Sequence, residues 1–235
     1  MGSGLGNVVA HLGFGQQRRK GLGWGGIGEQ TVDLRQRGHL DHGRAVELAD
    51  VGRQPDLAGM RDDGLRYLHF TVVIVTQRAI GLIRHHAAEW GIKPDRVGIL
   101  GFSAGGHLTV TTALHANERT YTTDPKLDVE DATPNFAIPV YPAYLVSKEE
   151  PTKLLPGFEV GAKAPPMCFV HAHDDPWPAS GSALLYLEYK KKNLPAELHI
   201  YAKGGHGFGM KKSGQPVNEW PVRVVEWMKS MGYLD

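Results

Sequence analysis

The sequence predicts an α/β fold in which a mainly parallel central sheet is flanked by helices. Three observations lead there. From Gln77 to the C-terminus, short aliphatic runs alternate with segments whose apolar residues recur at helical spacing. One aliphatic run ends in a turn of small residues, "GFSAG" at 101–105, set between a strand and a possible helix. The chain has 235 residues and is 41% hydrophobic, enough for one sizeable core, yet it holds no stretch of about 18 apolar residues that could span a bilayer.

The elements follow in order. Residues 1–76 form an atypical Gly- and Arg-rich segment, poor in aliphatic runs, and residues 77–235 form the α/β core. Within the first segment only "HFTVVIV", near 69–75, reads as a buried strand, and it abuts the next helix with almost no loop. "QRAIGLIRHHAAEW" places Ala79, Ile83, Ala87 and Trp90 on one helical face, before Gly91 and Pro94 break it. "RVGILGF" is an aliphatic strand, and residues 104–114 suit a helix leaving Ser103. "NFAIPVYP" and "PPMCFVHAHD" read as buried strands. "SALLYLEYKKKNL" reads as an amphipathic helix with Ala183, Leu184, Leu187 and Lys191 along one side. Its "YKKKN" end reads as a solvated terminus that suits the helix dipole. "AELHIYAK" alternates like a strand, and "PVRVVEWMKSM" closes the chain as a helix with Pro221 near its start.

Composition excludes several classes. Lys and Arg total 26 against 25 Asp and Glu, so the near-neutral net charge of +1 gives no electrostatic reason to expect nucleic acid or an anionic membrane. The one cysteine, Cys168, rules out an internal disulfide framework and leaves the redox compartment open. "MGSGLGNVVAHLGFG" has neither a basic n-region nor a long apolar h-region, so the chain as written reads as cytoplasmic, with no oligomeric state implied.

The serine turn carries the chemistry. "GFSAG" fits G-x-S-x-G with a strand before and a helix after, the context of a nucleophile elbow. Gly101 and Gly105 give room for the strained turn that exposes the Ser103 hydroxyl, and the Ala104 amide would donate to an oxyanion. A serine needs a base and an orienting carboxylate. His206 in "KGGHGFG" follows a strand and is flanked by glycines; His107 lies too near Ser103 along the chain, and His85 and His86 read as helix-surface residues. "FVHAHDDPWP" ends a strand in two acids, of which Asp175 is the orienting candidate and Asp174 the alternative. Ser103, Asp175 and His206 each follow a candidate strand, where sites form in open parallel sheets. His171, His173 and Asp175 also make an H-x-H-x-D string of metal-ligand chemistry, but no further histidine adjoins it, so no metal is expected. Tyr141, Tyr144, Trp177 and Phe208 are candidates to line an acyl or sugar pocket, or simply to pack near the strand ends.

Together "DRVGILGFSAGGHL", "PPMCFVHAHDDP", "PAELHIYAKGGHGFG" and "WPVRVVEWMKSMGYLD" resemble the α/β-hydrolase esterases of the acetyl-xylan-esterase and hormone-sensitive-lipase-like group, over roughly residues 77–235. The resemblance implies the α/β-hydrolase fold, no metal or organic cofactor, and hydrolysis of carboxylic esters, plausible substrates being small-molecule or carbohydrate acetyl esters. It makes Ser103 the nucleophile, Asp175 the triad acid, His206 the base and Ala104 an oxyanion donor. Such enzymes carry a glycine-rich loop that supplies a second donor. Here the nearest string is "GLGWGGIG", with Gly25 and Gly26, but the "QQRRK" before it is no buried strand. The change of character at Gln77 therefore reads as a frameshift, misassigned start or fused segment. Two rival functions follow: an impaired or non-enzymatic protein lacking a complete oxyanion hole, and a serine peptidase on the same fold.

Overall fold

The computed structural model describes residues 6–12, 64–116, 118, 123, 128 and 131–235. Five strands form one parallel sheet in the order β1-β2-β3-β4-β5: β1 (Gly6–Leu12), β2 (Ile92–Phe102), β3 (Phe136–Val140), β4 (Met167–Ala172) and β5 (Ala196–Tyr201). The helices are α1 (Gly64–His85), α2 (Ala87–Trp90), α3 (Ala104–Leu114), α4 (Ser180–Lys191) and α5 (Trp220–Ser230). A 3-10 turn, Pro216–Glu219, leads into α5, whose Pro221 sits in the first turn as the sequence predicts. None of the described helices is long and apolar enough to cross a membrane.

Alternate residues of the central strands feed two core layers. Phe136, Ile138 and Val140 of β3, with Cys168, Val170 and Ala172 of β4, pack with Trp220, Val224 and Trp227 of α5. Ala137, Met167 and Phe169, on the other face, pack with Val110 and Ala113 of α3 and Leu185 and Tyr189 of α4. β3 and β4 are buried along their whole length, as expected of parallel strands covered on both faces. Gly98 of β2 has a packing reason: a Cβ there would lie 2.2 Å from the Phe136 ring.

Three sequence expectations need correction. "HFTVVIV" is not a strand but part of α1, and residue 76 falls inside that helix. Val73, Thr76, Ile80, Ile83 and Ala87 are buried at spacings of three and four residues, one stripe that continues across the supposed join. Burial along this stripe overrides the β-branched preference for strands. The predicted helix over residues 77–90 is divided at His86, though Ile83, Ala87 and Trp90 do share one apolar cluster. On α4 the buried stripe is Ser182, Leu185 and Tyr189, whereas Leu187 is 50% exposed. The stripe turns inward because Gly181 lies against Leu145, Ser182 bonds to His171, and the Tyr189 hydroxyl donates to the Pro165 carbonyl at 3.0 Å. A core serine is invisible to a reading based on apolar spacing alone. β1 adds a fourth point: the sequence reading placed no strand at 6–12, and the backbone there runs parallel to β2.

Candidate active site

Ser103 is the single residue between β2 and α3. Its φ of 55° and ψ of −116° put a residue with a side chain in a region normally left to glycine. Such a backbone costs roughly 1–3 kcal/mol and persists only where its surroundings fix it. Those surroundings are visible: the Ser103 N–H donates to the Val140 carbonyl at 3.1 Å, and the Ser103 carbonyl accepts from His107 at 3.0 Å and Ala143 at 3.2 Å. Gly101 is sterically required, since a Cβ would meet the Gly105 carbonyl oxygen at 2.1 Å. Ala104 opens α3, so its amide is one of those left without a partner inside the helix, at its positive end.

His206 lies in the loop after β5, between Gly205 (φ 62°) and Gly207 (φ 77°). Its Nε2 is 2.7 Å from Ser103 Oγ, and its Nδ1 is 2.8 and 3.0 Å from the two carboxyl oxygens of Asp175. The Asp175 side chain is completely enclosed. Its Oδ1 also accepts the Trp177 N–H at 2.8 Å, so the turn after β4 holds the carboxyl in place. The structure thus brings Ser103, His206 and Asp175 into one hydrogen-bonded line.

Asp174 does something else. It is exposed, and its Oδ1 accepts the Gly205 N–H at 2.8 Å. That bond holds the carboxyl below its ordinary value, with the nearby Lys203 acting in the same direction. Asp174 therefore ties down the loop that carries His206. The other end of that loop is tied by the Trp220 indole, which donates to the Gly209 carbonyl at 2.8 Å. Tyr141 packs edge-on to the His206 ring, with centroids 5.1 Å apart, and Phe208 packs edge-on to Tyr141. Burial pushes the Tyr141 hydroxyl up to about 12, so it stays protonated and serves as a neutral brace. Tyr141 also has a positive φ, 39°.

The remaining candidates fall as follows. Trp177 is half-buried and edge-on to the exposed Tyr144 ring at 4.4 Å, with Lys148 Nζ 4.7 Å from its ring centre. Phe208 is buried in the core with Trp220. Gly25 and Gly26 lie outside the described residues. His107, on α3, sets its Nδ1 3.2 Å from the Ala143 carbonyl and packs on Phe158, a structural position. Of the H-x-H-x-D string, His171 and Asp175 are buried and His173 is exposed. Among the described residues, the donors close enough to share a cation are Cys168, Glu197 and His199, within 4.8 Å of one another. Burial raises the Cys168 thiol far above its ordinary range, and Cys168 packs in the apolar layer under α5, which suits a core thiol. An open depression of about 560 Å³ between residues 147–160 and α4 contains none of the line's residues.

Sequence reasoning missed Tyr141 as the brace and His171 as a neighbour of Asp175. The signal for His171 was its place inside a run of buried aliphatic residues, where an imidazole must find partners.

Comparison with known proteins places the fold. The BD-FAE family model matches residues 71–140. The acetylxylan esterase of Xylanibacter ruminicola is 27% identical over 66% of this chain and 35% of its own length. The acetyl ester-xyloside bifunctional hydrolase of Caldicellulosiruptor lactoaceticus superposes with a TM-score of 0.61 at 29% identity, covering 69% of this chain and 66% of that one. Esterase 2 of Thermogutta terrifontis, solved in its paraoxon-phosphorylated form, superposes with a TM-score of 0.57 at 26% identity, over 71% of this chain and 65% of that one. The chain therefore has the α/β-hydrolase fold. Its resemblance to the acetyl-xylan-esterase-like esterases holds at the level of sequence and structure, although the match spans only about a third of the curated relative, 35%.

Proposed function

We propose that this chain is a serine hydrolase of carboxylic esters, with acetyl esters of carbohydrates as its substrate class. The observation that carries the reading is the unbroken line from Ser103 Oγ through His206 to the enclosed Asp175 carboxyl, with steps of 2.7 and 2.8 Å. His206 Nε2 takes the proton of the Ser103 hydroxyl as Oγ attacks the ester carbonyl. Asp175 holds Nδ1–H and stabilises the imidazolium that forms. The oxyanion is met by the Ala104 amide at the start of α3. Collapse expels the alcohol, which takes the proton from His206 Nε2. Water, activated by the same nitrogen, then releases the acid and frees Ser103. Support for acetyl esters comes from the names of the acetylxylan esterase and the acetyl ester-xyloside hydrolase it resembles. Tyr144 and Trp177, beside the strand ends, are the proposed flank for the sugar.

p-Nitrophenyl acetate hydrolysis by the wild type and by Ser103→Ala tests the reading. The wild type is expected to turn over and the variant to fall to background. Stoichiometric paraoxon is expected to add one diethylphosphoryl group to the wild type and none to the variant, read by intact mass. Equal rates and equal labelling would overturn it.

A further inference from the structure

Among the described residues, His171 is a fully buried titratable side chain that touches the proposed machinery without a part in it. It stands on β4, on the face that meets α4, and its side chain is completely enclosed. Both ring nitrogens are engaged: Nδ1 is 3.0 Å from the Ser182 hydroxyl, and Nε2 is 3.1 Å from the Trp177 carbonyl. A carbonyl only accepts, so Nε2 carries the hydrogen and Nδ1 accepts from Ser182. The nearest carboxylate oxygen, Oδ2 of Asp175, lies 3.6 Å from Nε2, beyond a good hydrogen bond.

We propose that His171 is a positioning residue: its Nε2–H pins the Trp177 carbonyl, so that the Trp177 amide holds the Asp175 carboxyl toward His206. The chain of bonds runs from Ser182 on α4 through His171 to the Trp177 carbonyl, and across the backbone of that residue from its amide to Asp175 Oδ1 at 2.8 Å. Residues 174–178 contain two prolines and belong to no strand or helix, so the ladder of β4 ends at the His173 amide and does not set the rest of this turn. His171 supplies a fixed point for it from inside the sheet. The ring does so as a neutral group. Burial lowers its value, and the charge of His206 works in the same direction, while Asp175 and the Trp177 carbonyl oppose it. An imidazolium here would compete with His206 for the charge of Asp175; a neutral ring leaves that charge to His206.

The inference rests on the reading of Ser103, His206 and Asp175 as the reacting line, and the experiment separates the two. His171→Leu, His171→Gln, Ser182→Ala and Ser103→Ala are assayed on p-nitrophenyl acetate, and the downfield proton resonance of the His206 Nδ1–H···Asp175 bond is followed by NMR. His171→Leu is expected to lower kcat at least about tenfold with KM changed less than about threefold, because the carboxyl is displaced rather than the substrate site. Its downfield resonance should broaden or vanish. His171→Gln, whose amide N–H can reach the Trp177 carbonyl, should recover most of the kcat and the resonance. Ser182→Ala should fall between wild type and His171→Leu. Wild-type kcat and an intact resonance in His171→Leu would overturn the positioning role. So would equal losses in the Gln and Leu variants with the resonance intact, which mark plain packing. Should the Leu variant fail to fold, the Gln and Ser182→Ala proteins decide by the same two readouts. An active Ser103→Ala protein would instead refute the nucleophile reading, while the resonance still reports on His171.

Discussion

Replacing Asp175 by Asn separates orientation of His206 from mere occupancy of the turn. Asp175 Oδ1 accepts the Trp177 N–H at 2.8 Å, while both carboxyl oxygens lie within 3.0 Å of His206 Nδ1. An amide of the same shape can keep its oxygen on Trp177 and turn its NH2 toward Nδ1. A donor facing Nδ1 forces the imidazole to carry its proton on Nε2. That nitrogen then donates to Ser103 Oγ at 2.7 Å instead of accepting its proton. The equivalent change in Ser-His-Asp enzymes costs about 10⁴ in kcat, or about 5.4 kcal/mol at 1.36 kcal/mol per tenfold. The assay is kcat on p-nitrophenyl acetate, with Ser103→Ala as the floor and Asp174→Asn as the control. Asp174 accepts the Gly205 amide, and Asn keeps an oxygen for it, so a loss under about tenfold is expected there. Asp175→Asn within tenfold of wild type, or Asp174→Asn as the more damaging change, would refute the assignment of the carboxylate.

Two further outcomes follow from the same geometry. Gly101→Ala places a Cβ 2.1 Å from the Gly105 carbonyl oxygen and 2.4 Å from its carbon, backbone atoms that cannot step aside. Expected are a loss of about 3 kcal/mol or more, a fall in Tm of roughly 6–12 °C and no esterase turnover; an unchanged Tm would contradict the packing. For pH, the folded chain holds His171 below its ordinary value of 6.5, so below that pH the unfolded chain binds a proton that the folded chain refuses. Stability should therefore fall as pH drops through about 6.5, by up to about 1.4 kcal/mol per unit from this group, and level off below the folded value. Melting curves should show a steeper acid decline in wild type than in His171→Gln, and equal slopes would refute it.

How much of this was legible in the chain depended on the kind of signal. Strands β2, β3 and β4 could be read as aliphatic runs with glycine, proline or asparagine close by, and helix α3 from the serine turn that precedes it. Ser103, Asp175 and His206 could be read because each follows a strand, and a parallel sheet places such positions along one edge. The choice between Asp174 and Asp175 was not legible: the two acids are adjacent and differ only in which way the turn faces them. α1 was misread because Thr71, Val72, Val73, Ile74 and Val75 have strong strand preference, and only the burial of Val73 with Ile80 and Ile83 reveals the helical stripe. The buried face of α4 was misread for a related reason. Ser182 counts as polar in any apolar pattern, and its partner His171 is eleven residues away on another element.

The edge that bears the site also collects the strain, and the sheet itself is what holds it. Of the four described non-glycine residues with positive φ, Ser103, Tyr141 and Tyr144 lie just past the ends of β2 and β3. Each strand's ladder continues one residue into its loop. The Ser103 amide bonds to Val140 of β3, the Tyr141 amide to Val170 of β4 at 2.6 Å, and the His173 amide to Tyr201 of β5 at 2.7 Å. Each loop therefore begins at a height fixed by the neighbouring strand rather than by its own sequence. Strained backbones at Ser103 and Tyr141, at roughly 1–3 kcal/mol each, survive because an otherwise buried carbonyl would lose its donor if either relaxed. Register across β2, β3, β4 and β5 is thus the physical cause of the 2.7 Å approach between Ser103 and His206, two residues 103 positions apart in the chain.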